Sequence, residues 1–342
     1  MEKYRMAMIP EPGKIEFKEM VLRDPLPDEV LIRVHTAAIC GSDLHLFKGR
    51  HPSVALPSAV GHELAGEICQ LGSEVKKFQV ADRVTVEPVI ACGQCHYCQR
   101  GAYHLCENIS FHYRRGQGAF SDYFYAPQHR VYKLPESLTY EEGTLIEPLS
   151  VALHAVKKSG ISIGQTSAVI GGGAIGLLVS MLLNNLTGIK PFLTDINDFR
   201  VQKAVDLGAR GVFTHRGEDL IKTVMEQTRG LGVDHAFEAV GMEATLIQAL
   251  QSIRKGGKVT LLGIFEEQLP KIPINLFVQR EISLSGSQGY VWDFEDSINL
   301  AAQGRINLGE LVTTRLPLDK LQQGFDLLCQ PGNNQVKVVF CN

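Results

Sequence analysis

The sequence predicts an α/β protein in which a doubly wound parallel sheet is inserted into a β-rich domain. Strand and helix patterns alternate between residues 167 and 286, as expected for a parallel sheet with right-handed crossovers. Residues 1–90 instead contain short segments of alternating polarity separated by proline and glycine, which favours antiparallel strands. A last such segment, residues 335–340, follows the alternating region, so we expect the chain to end in the β-rich domain. The predicted domains are 1–150 with 288–342, and 151–287.

Composition excludes several classes of protein. The chain has 342 residues, of which 44% are hydrophobic and 21% charged, as in a globular protein of roughly two domains. A formal net charge of −3 provides no basic field for nucleic acid or an anionic membrane. No apolar run is long enough to span a bilayer, and residues 1–10 lack the apolar core of a signal peptide. We therefore expect a cytoplasmic protein that acts on a small molecule, without nucleic-acid or membrane partners.

The β-rich domain begins with segments that alternate with a period of two. Residues 14–19 and 29–35 are predicted strands, and residues 64–71 and 83–87 are two more. Two prolines interrupt the chain between the first pair, as expected for a turn.

Residues 37–63, between two of these strands, predict a metal site. Cys40 and the adjacent His62 and Glu63 supply the thiolate, imidazole and carboxylate groups that bind Zn²⁺. One glycine follows Cys40 and another precedes His62. Glycine permits tight backbone turns that present a neighbouring side chain inward. A lone buried cysteine is more often a small hydrophobe, so this prediction depends on the remaining motifs.

A second metal site is predicted from four cysteines with the spacing C-x₂-C-x₂-C-x₇-C: Cys92, Cys95, Cys98 and Cys106. Four thiolates close in sequence complete a tetrahedron around zinc and leave no open position, so this zinc is expected to be structural. An iron–sulfur cluster is the alternative, although the usual C-x₃-C-P context is missing.

Residues 147–155 predict a helix start, because Pro148 suits the first helical position. Glu147 is then a capping carboxylate that the helix dipole favours. It is also a potential zinc ligand, directly or through water, and the two roles are compatible.

A nucleotide site is predicted where a strand, residues 167–170, runs into the GxGxxG turn and an apolar helix, residues 177–186. In the turn, Gly171 bends the chain, Gly173 admits a pyrophosphate, and Gly176, after Ile175, allows close packing. Free N–H groups at the helix start then bind the pyrophosphate.

Asp195, 19 residues after Gly176, is placed to bind the adenosine ribose hydroxyls. A carboxylate there repels a 2′-phosphate, so NAD is expected rather than NADP. Arg200 is close enough in sequence to stack on adenine or attract a phosphate, which weakens that preference.

The remaining segments continue the alternation. The predicted strands are 191–194, 211–214, 233–238, 258–263 and 282–286, and the predicted helices are 200–207, 220–228, 294–304 and 320–328.

The chain contains six motifs in the following order: ICGSDLH, AVGHE, CGQCHYC with a later cysteine, IEPLSVALHA, GGGAIG and the dipeptide Thr194–Asp195. In this respect the chain resembles the zinc-dependent medium-chain dehydrogenases, most closely their sorbitol (polyol) dehydrogenase branch. The resemblance implies a GroES-like catalytic domain with both zinc sites and an inserted Rossmann domain.

The resemblance also implies site roles. Cys40 and His62 become ligands of a catalytic zinc, and Glu63 a ligand or its immediate neighbour. Glu147 stands where other alcohol dehydrogenases have a second cysteine ligand. Asp43 matches an acid that orients the His62 imidazole.

The implied reaction transfers hydride from a secondary alcohol or polyol, such as a sorbitol- or L-iditol-like sugar alcohol, to NAD, giving the ketone. Ser42 is placed to accept the hydroxyl proton and pass it through the cofactor ribose to His45 and solvent. Leu46 and Gly289 stand where the polyol branch often has an aromatic residue and an arginine, which argues against sorbitol itself.

Two alternatives remain open. One is a dehydrogenase or reductase for another small alcohol, such as butanediol, threonine or a sugar alcohol phosphate. The other is a catalytically silent nucleotide-binding scaffold, which the intact set of Cys40, Ser42, His62 and Glu147 disfavours. By analogy with the family, a homodimer or homotetramer is expected.

Overall fold

The computed structural model describes residues 2–266 and 270–342. The chain divides into two compact units, one combining residues up to 147 with 294–342, and the other comprising 148–293. These boundaries differ by three to six residues from those expected from the sequence.

The elements are numbered in chain order. The strands are β1 (Lys3–Ile9), β2 (Glu16–Val21), β3 (Glu29–Ala38), β4 (Ser58–Ala59), β5 (Glu63–Leu71), β6 (Arg83–Val86), β7 (Val89–Ile90), β8 (Ser110–Phe111), β9 (Tyr123–Pro127), β10 (Val131–Lys133), β11 (Ser167–Ile170), β12 (Phe192–Asp195), β13 (Arg210–Phe213), β14 (Val233–Glu238), β15 (Ile253–Leu261), β16 (Ser283–Gly286), β17 (Val312–Pro317) and β18 (Lys337–Cys341). The α-helices are α1 (Gly41–Phe47), α2 (Tyr140–Thr144), α3 (Ile146–Ser159), α4 (Ala174–Leu182), α5 (Asp198–Asp206), α6 (Leu220–Gln227), α7 (Glu243–Ser252), α8 (Asn275–Arg280), α9 (Asp293–Ala302) and α10 (Leu321–Cys329). Among the described helices, none combines the length and apolar character needed to cross a bilayer.

The first unit is built on a mostly antiparallel sheet with the order β10-β6-β5-β3-β18-β17, in which β9 also pairs with β3. Strand β18, from the end of the chain, pairs antiparallel with β3, so that Val339 lies opposite Ala38. The core beneath this sheet is aromatic and aliphatic, and Phe120 packs edge-on against Phe340 with ring centroids 5.5 Å apart. The expected return of the last strand to the β-rich domain is therefore present.

The second unit contains a parallel sheet of order β13-β12-β11-β14-β15-β16. The strand order reverses between β11 and β14, and in open α/β sheets a crevice at the carboxyl ends of the strands forms at such a point. Buried aliphatic residues such as Val169, Leu193 and Val259 fill the sheet on both sides. The predicted α/β fold class is thus confirmed.

Several elements differ from the sequence prediction. Residues 41–47 form helix α1, which the sequence analysis did not predict; Asp43 accepts a hydrogen bond from the backbone N–H of Cys40 at 2.9 Å and closes the first turn. The apolar helix after the glycine turn ends at Leu182 and continues as a π-helical turn, Leu183–Thr187. Strand β15 begins five residues earlier than predicted, at Ile253. Other elements that were not predicted are strands β1, β4, β7, β8, β10 and β17 and helices α2, α7 and α8.

Candidate metal and nucleotide sites

Strand pairing brings the first predicted metal residues together. Strands β3 and β5 are antiparallel with Ala38 opposite Glu63, so the residues just beyond β3 and just before β5 must meet. Cys40 lies at the start of α1 and His62 immediately precedes β5. One ligand atom from each of Cys40, His62 and Glu63 lies within 4.8 Å of the other two.

Asp43 holds the two metal-site loops against each other. Its carboxylate accepts hydrogen bonds from the N–H of Cys40 at 2.9 Å and from the N–H of Gly61 at 3.2 Å. Its Oδ1 atom also lies 3.6 Å from Nδ1 of His62, and both side chains are buried. Within the described part of the chain the Nδ1 atom has no other polar neighbour at hydrogen-bonding distance, so Asp43 is placed to orient the imidazole.

The charges around His62 favour a bound cation. Burial acts to lower the pKa of the imidazole, but the Cys40 thiolate and the Asp43 carboxylate oppose it and raise the pKa well above its usual value. The imidazole is therefore surrounded by negative charge. A thiolate, an imidazole and a carboxylate in this arrangement fit the ligand chemistry of zinc.

Glu63 has a partner that the sequence analysis did not identify. Both carboxylate oxygens lie 2.5 Å from Nζ of Lys337, in β18, and both side chains are almost completely buried. Lys337 also donates to the carbonyl of Ile39 at 3.1 Å. Burial acts to lower the pKa of Lys337, but Glu63, Cys40 and Glu147 raise it above its usual value. The sequence signal that could have drawn attention to Lys337 is its position as a single lysine in an otherwise apolar strand.

The other predicted residues of this site lie nearby. Glu147 is in the first turn of α3 and is 5% exposed. Among the described residues it falls outside the compact group of Cys40, His62 and Glu63, although its charge acts on Lys337. Ser42 and His45 are three residues apart on α1, and both are partly exposed. Positions separated by three share a helix face, as a proton relay requires. Their catalytic roles stay predictions.

The four cysteines of the second predicted site converge. The sulfur atoms of Cys92, Cys95, Cys98 and Cys106 lie within 4.8 Å of one another, and all are free thiols. Backbone N–H groups of Cys98 and Glu107 lower the pKa of Cys95 to about 6, whereas burial and its neighbours raise the pKa of Cys98 to about 12. Four thiols this close cannot all ionise without a cation, and the donor set fits a closed zinc site.

The glycine turn has the geometry that a bound pyrophosphate requires. Gly171 has φ +105°, and a Cβ there would lie 2.6 Å from Cγ2 of Val240. A Cβ on Gly176 would lie 1.8 Å from the carbonyl oxygen of Gly171, so only glycine lets α4 pack this closely on the turn. Gly173 lies at the N-terminus of α4, with Ile175 in its first turn. The turn therefore places the N-terminus of α4 at the reversal of strand order, and a helix N-terminus is a site where backbone N–H groups bind phosphate.

Asp195 and Arg200 lie against this turn, and their roles in binding the nucleotide stay predictions. Asp195 ends β12, and its carboxylate accepts hydrogen bonds from the N–H groups of Gly172 at 2.7 Å and Asn197 at 2.8 Å. A Cβ on Gly172 would lie 3.0 Å from Cβ of Arg200. The carboxylate is thus fixed beside the turn.

Two aromatic residues that the sequence analysis did not identify pack against His62. The rings of Phe111 and Tyr113 lie 6.3 Å and 5.9 Å from the imidazole, centroid to centroid, and stack on each other at 5.5 Å. They give the metal cluster an apolar wall. No sequence motif marks them.

Comparison with protein families gives two matches. The family described as alcohol dehydrogenase GroES-like domain matches residues 26–136. The family described as zinc-binding dehydrogenase matches residues 174–303. Together they cover both the metal cluster and most of the parallel-sheet unit.

Relatives align along nearly the whole chain. The sequence is 35% identical to sorbitol dehydrogenase from Bacillus subtilis, over 98% of this chain and 96% of the relative. It is 33% identical to D-arabitol-phosphate dehydrogenase from Enterococcus avium, with 95% and 93% covered. It is 36% identical to (R,R)-butanediol dehydrogenase from Bacillus subtilis, with 92% of each chain covered.

Solved structures agree with the fold. An oxidoreductase of unknown specificity from Escherichia coli superposes with a TM-score of 0.93 at 30% identity, covering 99% of both chains. A zinc-binding dehydrogenase from Sinorhizobium meliloti, bound to NADP, superposes with a TM-score of 0.92 at 29% identity, covering 100% of both chains.

Proposed function

The chain belongs to the zinc-dependent medium-chain dehydrogenases, in their sorbitol-dehydrogenase-like branch, and on that premise we propose that it oxidises a secondary alcohol or polyol to the ketone with NAD. The observation that supports this most is the convergence of Cys40 and His62, whose loops Asp43 holds together. The named substrates of the relatives, sorbitol, D-arabitol phosphate and butanediol, are all alcohols and support the substrate class.

In this proposal Cys40 and His62 hold the catalytic zinc. Both oxygens of Glu63 contact Lys337, so we treat Glu63 as a neighbour of the zinc site whose charge the lysine neutralises. We assign the role of carboxylate ligand to Glu147, which binds the zinc directly or through water. When bound, zinc supplies Lewis-acid activation of the hydroxyl, and NAD supplies the hydride acceptor.

The protein residues then manage orientation and the proton. Asp43 keeps the His62 ring in one orientation, and Phe111 and Tyr113 exclude water from one side of the cluster. The Ser42 hydroxyl accepts the substrate proton, and His45, on the same face of α1, releases it to solvent. The Cys92 to Cys106 group holds the second zinc, whose role is structural.

The preference for NAD over NADP is part of the proposal. Hydrogen bonds from Gly172 and Asn197 fix the Asp195 carboxylate beside the glycine turn. A fixed negative charge there repels a 2′-phosphate and accepts hydrogen bonds from ribose hydroxyls.

A cytoplasmic homodimer or homotetramer also belongs to the proposal, as the family resemblance implies. Light scattering coupled to size-exclusion chromatography measures the assembly directly.

The test compares Cys40→Ala and His62→Ala with the zinc-loaded wild type on a panel of polyols, butanediol and threonine with NAD. We expect turnover to fall at least a hundredfold in both variants, bound zinc to fall from two to one per chain, and NADH affinity to change less than twofold. Cys69→Ala is the matched control, because Cys69 is a partly buried thiol outside both metal groups. Unchanged turnover in both site variants would refute the proposal, and turnover without zinc would do the same.

A further inference from the structure

The first unit contains a cavity of about 370 Å³, and Ser53, Tyr113 and Arg114 are among the residues that line it. Tyr113 is buried, and its ring also lies 5.9 Å from that of His62. One tyrosine therefore contacts both the cavity and the proposed zinc ligand. A volume of this size accommodates a small polar molecule of several carbons.

Arg114 is a cation without an acidic partner in this cavity. Its Nη2 donates to Oγ of Ser53 at 2.5 Å, and within residues 2–266 and 270–342 its guanidinium forms no ion pair with a carboxylate. The N–H of Ser53 in turn donates to Nδ1 of His51 at 3.2 Å. The guanidinium thus has a neutral hydroxyl beside it and unused donors.

The lining of the cavity carries a positive charge and no negative one. Arg114 lines it, and none of the lining residues is an aspartate or glutamate. The acids nearest in sequence to its two main segments, Asp43, Glu63, Glu107 and Asp122, lie outside the lining. Burial and the charges of Arg114 and His45 lower the pKa of His51, whereas Asp43 raises it. A cavity lining with an arginine and no acid attracts an anion.

We propose that this cavity binds the phosphate of a phosphorylated polyol substrate, with Arg114 and Ser53 as its ligands. A phosphate monoester presents three acceptor oxygens, enough for the guanidinium fork and the Ser53 hydroxyl together, whereas a carboxylate presents two. The hydroxyl to be oxidised lies at the cluster of Cys40 and His62, several carbons away. This inference rests on the proposed alcohol dehydrogenase function and narrows its substrate class.

The kinetic test compares a polyol, its terminal phosphate and the corresponding sugar acid as substrates with NAD. For the wild type we expect KM for the phosphate to be at least tenfold below KM for the neutral polyol. Arg114→Gln should raise KM for the phosphate at least tenfold, and Arg114→Lys should restore part of the loss. Arg115→Gln is the matched control, because Arg115 is the adjacent exposed arginine and does not line the cavity, so its KM values should equal those of the wild type.

A binding test does not depend on turnover. Inorganic phosphate is titrated calorimetrically into the zinc-loaded wild type, Arg114→Gln and Arg115→Gln at constant ionic strength. We expect Arg114→Gln alone to weaken phosphate binding, at least tenfold. Equal phosphate binding by all three proteins would overturn the inference, as would a lower KM for the sugar acid than for the phosphate.

The two proposals fail in different ways. Failure of the wild type to oxidise any alcohol, phosphorylated or not, refutes the proposed function, and the phosphate titration then still decides whether the cavity binds an anion. If the wild type oxidises neutral polyols and phosphorylation of the polyol does not lower KM, only the inference about the cavity is refuted.

Discussion

Replacing Lys337 by methionine should remove much of the stability of the first unit. The ammonium group and the Glu63 carboxylate are 4% and 0% exposed, so the substitution leaves a buried carboxylate without a counter-charge. Breaking a buried ion pair from one side costs about 3–5 kcal/mol. With a urea m-value of about 2 kcal/mol/M, this shifts the unfolding midpoint of the first unit by about 1.5–2.5 M.

The assay must separate the two units, since a protein of two units need not unfold in one transition. The only tryptophan, Trp292, is in the second unit, whereas eight of the nine tyrosines are in the first. Urea unfolding of the zinc-loaded protein is therefore followed by tyrosine near-UV circular dichroism and by Trp292 fluorescence. We expect a shift only in the tyrosine signal.

A double-mutant cycle distinguishes loss of the pair from loss of packing. Glu63→Gln should also destabilise the first unit, but the double variant should be more stable than the sum of the two losses predicts, because it leaves no isolated charge. The exposed pair of Lys3 and Glu19, 2.7 Å apart, is the control, and Lys3→Met should change stability by less than about 1 kcal/mol. A loss below about 1 kcal/mol for Lys337→Met, or strict additivity in the cycle, would refute the reasoning.

Three further predictions concern other parts of the chain. Cys98→Ser should release one zinc per chain and lower the melting temperature, as measured by atomic absorption and calorimetry; two retained zinc ions would contradict a four-cysteine site. Asp195→Ala should raise KM for NAD at least tenfold and lower the NAD-to-NADP ratio of kcat/KM; an unchanged ratio would exclude the proposed role of the carboxylate. His235 is buried, and its surroundings, burial first, lower its pKa to about 4, so the folded second unit keeps it neutral while the unfolded chain protonates it near pH 6.5. Stability present above pH 6.5 is therefore lost as the pH falls toward 4, and His235→Gln should flatten this dependence in urea titrations followed by Trp292.

Local motifs were predicted well because their residues determine the structure without distant help. The four-cysteine spacing and the glycine turn each lie within a few residues of one another, and both have the expected local geometry. The alternation of strands and helices predicted the parallel sheet for the same reason.

Several specific side-chain contacts between distant segments were not predicted. Lys337 and Glu63 are 274 residues apart, and nothing in either segment alone indicates a pair. Helix α1 was missed because seven residues beginning with glycine show too little periodicity, and the Asp43 hydrogen bond that stabilises it belongs to the metal site. The cavity residue Arg114 contacts Ser53, 61 residues earlier, through a pairing that only the folded chain shows.

Strand β18 sets the order in which the protein is completed during synthesis. The second unit is one continuous stretch of chain and is free to fold as soon as it leaves the ribosome. The first unit, by contrast, needs β18 beside β3, and Glu63 has no counter-ion until Lys337 has been made. All residues of the second unit are therefore synthesised at a stage when the metal cluster still lacks its buried lysine.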